Sequence, residues 1–487
     1  MTIIVFSLYF VTIIVLTFYG TRKARVSQAS NFSEDFFVGG RKMGPLALSI
    51  LIAAGACSTG TFVGCPGLGA AFGPGYVLLF VMGQISMSLF ILGILGKKMN
   101  IIGRRTKSET YIDIFRYRYS NWKPLIFTLA FVILLLLVTA TTAEFIGGSR
   151  VIQTMTGIPF MYSLVAFGII ITLYTALGGL KGVSIVGILQ GFLMTLATFI
   201  LVFGYLVHFG GLRPMFEQVG QIDPKLLTPN FGGKFSLLQM FDLRITYSLG
   251  LIGLPWAVQS NLSYKDTKSM KQAIVISIIL ICLWTLLLAV FGGVAGRINT
   301  PDLPISDFAL PNLAIDILPD YLTGIVLAGI AAAGQSTIAA LFILASGSIV
   351  INVFKAYVNP SLQDHETRRL TVIVLFVIGL VVILLSANPP STLQVFVTFA
   401  AGGSASALIP GIVLGLYWPR TTKQGALAGV LSGMLCYSWL TLSPPTTFLG
   451  QIPFLVSLPV SLVLTVLISL VTEKPSRETV ELYFGER

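Results

Sequence analysis

The sequence predicts an all-α polytopic membrane protein with about 13 transmembrane helices. Three observations support this class. Hydrophobic residues make up 55% of the 487 residues and charged residues only 10%, and the mean hydropathy is +0.88. A soluble domain carries about 25% charged residues. Apolar stretches of spanning length recur along the whole chain, and Lys and Arg concentrate in alternate connections between them.

A helix needs about 20 apolar residues to cross the hydrocarbon of a bilayer. The first such stretch lacks a basic leader and a cleavage site, so we interpret it as a retained span and not as a signal peptide. The four cysteines have no metal-ligand spacing, which argues against a disulfide framework or a zinc site. The predicted spans are 3–20, 44–66, 75–96, 124–149, 158–176, 184–208, 244–262, 272–295, 321–354, 370–387, 392–417, 424–442 and 452–472.

Positive charge indicates the orientation of these spans. Of the 31 Lys and Arg residues, 25 lie in alternate connections and the tail, and 6 lie on the other side. The positive-inside rule then puts the N-terminus outside and the C-terminus inside the cell. The net charge of +12 is therefore a topology signal and not a nucleic-acid footprint. We expect a multi-pass cell-membrane protein of the bacterial inner-membrane type, with the lipid bilayer and a small-molecule solute as partners and no obligate protein partner indicated.

The stretch 48–66 is apolar enough to span a membrane, but its middle is a poor helix. Gly55 and Gly60 weaken it, and Ser58, Thr59 and their neighbour Thr61 carry hydroxyl groups that compete for backbone partners. An opened backbone is tolerated in hydrocarbon only where it is buried in protein or lines a cavity. The stretch therefore predicts a broken helix whose freed carbonyls face a binding site in the middle of the membrane.

A second span, 244–262, is interrupted by Gly250, Gly253 and Pro255. Interrupted spans in corresponding positions of two halves indicate a transporter built from repeats. Each repeat would contain five helices, and because five is odd the two repeats must enter the membrane from opposite sides. We therefore divide a single transmembrane domain, 1–487, into an extra N-terminal helix and loop (1–43), a first repeat (44–208), a second repeat (240–417) and C-terminal helices with a short tail (418–487).

Two adjacent hydroxyl side chains, Ser336 and Thr337, lie deep in the apolar span 321–354. A hard cation such as sodium is bound by several oxygen atoms, which two hydroxyls and the carbonyls of a broken helix can supply. The alternative is that both hydroxyls bond to their own helix or join two helices. The spacing alone leaves both interpretations open.

Several phrases resemble the sodium:solute symporter family: FFVGGRKMGPLALSI (36–50), GILGKK (93–98), GIPF (157–160), LYTALGG (173–179), IDPKLLTP (222–229), SYKDTK (263–268), QSTIAAL (335–341) and LGLYW (414–418). They run through nearly the whole chain in order. The resemblance implies a LeuT-like fold of inverted five-helix repeats with extra helices. It also implies sodium-driven import of a small organic solute by alternating access, with pantothenate as the first candidate.

The resemblance further implies a sodium site with five oxygen ligands. Two are backbone carbonyls of the broken first core helix, and three come from the helix that carries the hydroxyl pair: Ala54, Cys57, Ala333, Ser336 and Thr337.

Three positions depart from the family pattern. Gly187 replaces a common aspartate linked to ion passage, Ser260 replaces an arginine, and Gln335 replaces an apolar residue. The change at Gly187 puts the choice of ion in question. The change at Ser260 puts a carboxylate solute in question. The change at Gln335 adds an amide beside the proposed ion.

Glu144 is the carboxylate that lies within a predicted span, and such an acid is a functional candidate by default. Counting from Pro124 puts it roughly 30 Å from the cytoplasmic edge. We therefore expect it near the outer interface, in an interfacial or structural role, with an ion or proton role as the alternative. Arg150 is expected to anchor the helix at that interface. The aspartate-rich outer loop 296–320 is expected to be a solvated surface.

Solute contacts are expected from polar residues on the broken helices and their neighbours, because buried polar groups need partners. Bonds between helices are the alternative for each of them. Together they predict a neutral pocket rich in hydroxyl and amide groups. The candidates are Thr59, Thr61, Gln84, Tyr247, Ser248, Trp256, Gln259, Gln394 and Ser404.

Other functions remain as alternatives. A proton-coupled symporter is the nearest, and the solute could instead be another small carboxylate, an amino acid or a neutral metabolite. A membrane sensor is disfavoured by the short tail and an ion channel by the lack of a filter motif. The sequence contains no nucleophile–base pair and no phosphate-binding loop, so we expect neither an enzyme nor an ATP-driven pump.

Overall fold

The computed structural model describes residues 1–26, 32–302, 304–443 and 447–485, and most of them are helical. We number the helices in chain order: α1 Thr2–Val26, α2 Phe32–Val38, α3 Pro45–Ala56, α4 Gly60–Phe72, α5 Pro74–Thr106, α6 Tyr111–Arg118, α7 Lys123–Thr156, α8 Phe160–Phe209, α9 Leu212–Ile222, α10 Leu237–Thr246, α11 Pro255–Gln259, α12 Thr267–Asn299, α13 Ala309–Ile317, α14 Asp320–Val358, α15 Asp364–Ser386, α16 Gln394–Tyr417, α17 Lys423–Leu442, α18 Pro453–Val471 and α19 Arg477–Phe484.

Ten spans in the described part of the chain are long and apolar enough to cross a membrane, and the bent pair α3–α4 makes an eleventh. Two predicted spans fall outside this set. The apolar part of α1 is shorter, Thr2–Thr17, and the predicted span 244–262 is divided into α10, a 3-10 turn Gly250–Gly253 and α11. The all-helical membrane class is therefore confirmed, whereas the number 13 stays a prediction.

The long helical segment α8 carries two of these spans, Phe160–Gly178 and Val186–Phe209. The hydroxyl of Tyr174 donates to the backbone carbonyl of Gln335, and the amide of Gln190 donates to the side chain of the same residue. Residues sixteen positions apart are separated by about 24 Å in a straight helix. The chain therefore folds back on itself between the two spans, in agreement with the connection predicted at 177–183.

Helix α14 forms the centre of the molecule. Its span is the most buried, and it packs against α8, α7, α1 and α3. A small residue makes one of these contacts close, because a Cβ atom on Gly329 would lie 2.4 Å from the Cβ of Ala197 on α8. Small residues let helix backbones approach in this way inside membranes. The C-terminal helices α17 and α18 pack on each other and on α16.

A buried ion pair between α7 and the segment before α13 corrects two expectations. Arg150 at the end of α7 pairs with Asp307, and the two side chains are 2% and 0% exposed. Asp307 also accepts bonds from the backbone of Leu393 (2.9 Å) and the hydroxyl of Thr392 (3.1 Å), while Arg150 donates to Pro390. Arg150 is therefore not a surface anchor. Asp307 is the exception in the loop 296–320, because it folds inward and joins α7 to the start of α16, whereas Asp302, Asp316 and Asp320 are exposed as expected.

We predict that Arg150→Ala lowers the free energy of unfolding by about 3–5 kcal/mol, because it leaves the carboxylate of Asp307 buried without its partner. Unfolding of the detergent-purified protein measures this loss. The double variant Arg150→Met with Asp307→Leu replaces the pair by apolar side chains and should regain most of the stability. Wild-type stability in Arg150→Ala would contradict this role of the pair.

Candidate functional site

The first broken helix has the predicted break. Helix α3 ends at Ala56, and Cys57 leaves the helical conformation with φ −103° and ψ 80°. Helix α4 begins at Gly60, and the axes of the two helices differ by 54°. The interruption falls within the weak segment that the glycines and hydroxyl residues predicted. The carbonyls of the last turn of α3 therefore lose their partners along the helix.

Three of these carbonyls accept hydrogen bonds from side chains on three other helices. The carbonyl of Ala54 accepts from the hydroxyl of Thr337 on α14, at 2.7 Å. The carbonyl of Gly55 accepts from the indole of Trp256 on α11, at 3.2 Å. The carbonyl of Ala56 accepts from the amide of Gln84 on α5, at 3.3 Å. The break is therefore the point where α5, α11 and α14 converge.

The five predicted sodium ligands lie on the two elements that meet here. The hydroxyl of Thr337 lies 2.7 Å from the Ala54 carbonyl and 3.2 Å from that of Ala333, and Ser336 donates to Ala333 at 3.0 Å. Cys57 directly follows the last residue of α3. All five ligand atoms are neutral oxygens, the donor type that hard cations prefer. The bonds within α14 match the alternative interpretation, but the contact between Thr337 and Ala54 joins two helices.

A narrow cleft lies beside these oxygens. It is lined by residues of α3, α8 and α14, and Gly187 is one of them. A Cβ atom added to Gly187 would meet no other atom within 4 Å, so the missing side chain leaves space in the cleft. The lining residues are Ala47, Ile50, Leu51, Ala54, Val183, Gly187 and Ser336.

The amide of Gln335 belongs to a buried polar cluster that includes α1. The hydroxyl of Tyr9 donates to the Gln335 side chain at 2.5 Å, and Gln190 donates to the same oxygen at 3.5 Å. Gln335 precedes the hydroxyl pair directly, so this cluster fixes that turn of α14 against α1 and α8. Tyr9 was not among the predicted site residues. Its signal in the sequence was a tyrosine within the largely apolar first span.

Glu144 is buried inside the helix bundle. Its side chain is 3% exposed and contacts the break between α3 and α4. One carboxylate oxygen accepts from the backbone N–H of Thr59 at 2.9 Å and from the Thr59 hydroxyl at 2.7 Å. The residue count along α7 did not indicate this burial, because position along a helix does not show which other helices cover a residue.

Thr59 occupies a slot between two glycines. A Cβ atom on Gly147 of α7 would lie 2.7 Å from the Thr59 hydroxyl, and one on Gly334 of α14 would lie 2.5 Å from its methyl group. The absence of side chains at both positions lets α7 and α14 close on the break. Both the N–H and the O–H donor of Thr59 bond to Glu144, so neither donor is available to a solute.

The second break joins α10 to α11. After the 3-10 turn Gly250–Gly253, Leu254 is extended, with φ −69° and ψ 108°. Gly253 lies against α16, where an added Cβ atom would be 2.4 Å from the Cα of Ala405. The second interruption is therefore confirmed, and it packs directly on α16.

Polar candidates from α4, α5 and α16 and the residue that follows α10 meet between the two breaks. The hydroxyl of Tyr247 lies 2.8 Å from that of Thr398 and accepts from the amide of Gln394 at 2.6 Å. Gln84 donates to the hydroxyl of Thr61 at 3.3 Å, and the backbone of Gly83 packs against Tyr247. Ser248 only bonds within its own segment, to Ile245 at 3.4 Å.

Three buried polar atoms of this region lack a hydrogen-bond partner within the described ranges: Oε1 of Gln84, Oε1 of Gln394 and Oγ of Ser404. Buried polar atoms are nearly always paired, so these three are the strongest pointers to a solute. The structure does not bring Gln259 into this group. Its amide donates to the carbonyls of Phe37 and Glu109, at 3.3 and 2.8 Å.

Comparison with known proteins decides the family. Residues 36–433 match the model of the sodium:solute symporter family. The sodium/pantothenate symporter of Escherichia coli is 33% identical over 93% of each chain, and that of Haemophilus influenzae is 32% identical over 84% of this chain and 85% of its own. The chain belongs to the sodium:solute symporter family. It is therefore a membrane transporter of small solutes and not an enzyme, and sodium is the co-transported ion.

Solved structures agree on the fold. A Na+-coupled sialic acid symporter in a substrate-bound outward-open state superposes with a TM-score of 0.80 over 98% of this chain and 99% of its own, at 15% identity. Mhp1, a nucleobase-cation-symport-1 family transporter, superposes with a TM-score of 0.60 over 92% and 97%, at 12% identity. The LeuT-like fold implied by the sequence resemblance is thereby confirmed.

The carboxyl group of Glu109 predicts a pH dependence of stability. The backbone carbonyl of the same residue accepts the hydrogen bond from Gln259. Burial raises the pKa of Glu109 to about 7, and the nearby Asp113 carboxylate acts in the same direction. The raised pKa disfavours the charged form in the folded protein. The contribution of Glu109 to stability should therefore be most favourable below about pH 4.3, the unfolded value, and should fall as the pH rises toward 7.

We expect Glu109→Gln to flatten this decline between pH 5 and about 8, measured as the melting temperature of the purified protein. The surface variant Glu217→Gln serves as the control and should keep the wild-type profile. Parallel profiles for wild type and Glu109→Gln would contradict the role of Glu109.

Proposed function

We propose that the chain imports pantothenate together with sodium across the cell membrane by alternating access. The observation that supports the mechanism is the hydrogen bond from Thr337 to the freed carbonyl of Ala54, which joins the broken helix to α14. The choice of solute is supported by the sodium/pantothenate symporters of Escherichia coli and Haemophilus influenzae, which match most of this chain at 33% and 32% identity.

The proposed topology has 13 spans, with the N-terminus outside and the C-terminus inside. The count adds α1, the bent pair α3–α4 and the broken segment α10–α11 to the ten clear spans. The division into inverted repeats, 44–208 and 240–417, is supported by the position of the two breaks. One interrupted helix stands at the start of each proposed repeat, as expected for transporters of this kind.

The proposed sodium site consists of the carbonyls of Ala54, Cys57 and Ala333 with the hydroxyls of Ser336 and Thr337. Bound sodium would turn these oxygens toward itself and draw the α3–α4 break onto α14. An ion that binds one conformation more tightly than another shifts the population toward it by its difference in affinity. Sodium therefore stabilises the conformation that receives the solute, and this preference couples the two.

The proposed solute site lies between the breaks, where Gln84, Tyr247, Gln394 and Ser404 present neutral donors and acceptors. Trp256, half-buried and bonded to Gly55, closes one side of it. Pantothenate carries hydroxyl groups and an amide that can pair with the unpartnered oxygens of Gln84 and Gln394. Its carboxylate is the part of the solute that this neutral lining does not match.

We predict that purified protein is stabilised by pantothenate, and more so in sodium chloride than in choline chloride, because a ligand that binds only the folded state raises its melting temperature. A panel with proline and other small carboxylates tests the solute, since a bacterial sodium/proline symporter is 26% identical over 90% of this chain. A larger shift with another panel member would reassign the solute. Uptake that needs no sodium and follows a pH gradient would show that protons, and not sodium, are the coupling ion.

Ser336→Ala and Thr337→Ala should each raise the sodium concentration for half-maximal uptake by about tenfold, because each removes one of five oxygen ligands. Uptake at saturating sodium should remain measurable, and the amount of inserted protein should not change. Ser348→Ala is the matched control, since its hydroxyl bonds to its own helix at Leu344. Wild-type sodium dependence in both variants would refute the proposed ligands.

A further inference from the structure

The five proposed sodium ligands carry no formal charge, which leaves the charge of the ion to be balanced by another group. Transfer of a lone cation into a protein interior costs several kcal/mol unless an opposite charge lies nearby. Within the described residues, no cluster of three or more His, Cys, Asp and Glu side chains exists that could provide several charges at once. A single carboxylate next to the ligands is therefore the group to look for.

Glu144 is such a carboxylate. It is 3% exposed, and it takes part in none of the ion pairs found among the described residues. Its polar contacts are the N–H and hydroxyl of Thr59, at 2.9 and 2.7 Å, and the hydroxyl of Ser58. These bonds and the N-terminus of α4 favour the negative form, because the positive end of a helix dipole attracts an anion. Burial opposes the negative form, and a cation beside the carboxylate would offset that cost.

The carboxylate of Glu144 contacts both elements that supply the proposed ligands. On one side it holds Thr59, which is two residues after Cys57. On the other side it faces Gly334, where an added Cβ atom would lie 3.6 Å from the same carboxylate oxygen. Gly334 directly follows Ala333. Glu144 therefore lies where the α3–α4 break meets α14. It is on α7, which supplies none of the proposed ligand oxygens.

We propose that Glu144 is the fixed negative charge that balances bound sodium and, through Thr59, positions the carbonyl of Cys57. This inference rests on the proposed sodium site. It assigns Glu144 as a positioning and charge-balancing residue and not as a ligand. The proposal also restricts where the solute binds, because the carboxylate of Glu144 already occupies the N-terminus of α4. The carboxylate of an anionic solute therefore binds elsewhere in the pocket.

The test is Glu144→Gln, which removes the charge and keeps an oxygen that can accept from Thr59. Sodium-dependent uptake in vesicles should then need about ten times more sodium, or an even higher concentration, for its half-maximum. Maximal uptake at saturating sodium should stay within about twofold of wild type, because added sodium compensates for lost affinity. A structural defect would lower the maximum and would not respond to sodium.

Asp242→Asn is the matched control. Asp242 is equally buried, at 3% exposure, and accepts a backbone N–H from Leu455 at 2.8 Å, on helices that contribute none of the proposed ligands. Its neutral variant should keep the wild-type sodium half-maximum. A shift as large as that of Glu144→Gln would indicate a general loss of stability and would overturn the assignment.

Two further outcomes would overturn the inference. One is an unchanged sodium half-maximum in Glu144→Gln, and the other is uptake in wild-type protein that follows a pH gradient without sodium and disappears in Glu144→Gln. The proposed function itself fails if uptake by the wild-type protein needs no sodium. If Ser336→Ala raises the sodium requirement and Glu144→Gln does not, the sodium site stands and only the role of Glu144 is wrong.

Discussion

Backbone carbonyls that lose their helical partners inside a membrane must find new ones, and this constraint organises the structure. At the end of α3 the carbonyls of Ala54, Gly55 and Ala56 are each satisfied by a side chain from a different helix. Water cannot take this place in the hydrocarbon region. The break therefore cannot form without the surrounding bundle, and the bundle converges where the backbone is open.

Close packing around the break depends on positions without side chains. Gly147 and Gly334 let α7 and α14 enclose Thr59, and Gly253 lets the second break lie on α16. These contacts place the oxygen atoms of separate helices within reach of one another. The same arrangement makes the site sensitive to helix movement, because a shift of α14 relative to α3 separates Thr337 from Ala54. This sensitivity is what a transporter needs to link ion binding to a change of conformation.

Local sequence predicted the helices and both breaks, since glycine, proline and hydroxyl residues act within a few positions of themselves. The hydroxyl pair Ser336 and Thr337 was recognised by resemblance to the family, because its spacing alone fitted two interpretations. Long-range partners were missed. Asp307 pairs with Arg150 across 157 positions of the chain, and Tyr9 bonds to Gln335 across 326. Neither pairing leaves a local signal.

The burial of Glu144 was missed for a similar reason. A count of residues along α7 gave its distance from one end of the helix, but helix α7 is 34 residues long. Its burial depends on α4 and α14, which close around it. Gln259 illustrates the reverse case, because its amide looked like a solute contact and instead holds the loop around Glu109. A polar residue in a membrane helix indicates that a polar contact exists, but only the fold shows which group makes that contact.

An experimental density map of the sodium-loaded protein is the most direct test of the central claim, that the opened backbone of α3 and the hydroxyls of α14 together bind the ion. The account predicts an interrupted helix at Cys57–Thr59 with density for sodium in contact with the Ala54 carbonyl and the hydroxyls of Ser336 and Thr337. A continuous helix through these residues, or sodium density away from both α3 and α14, would contradict it.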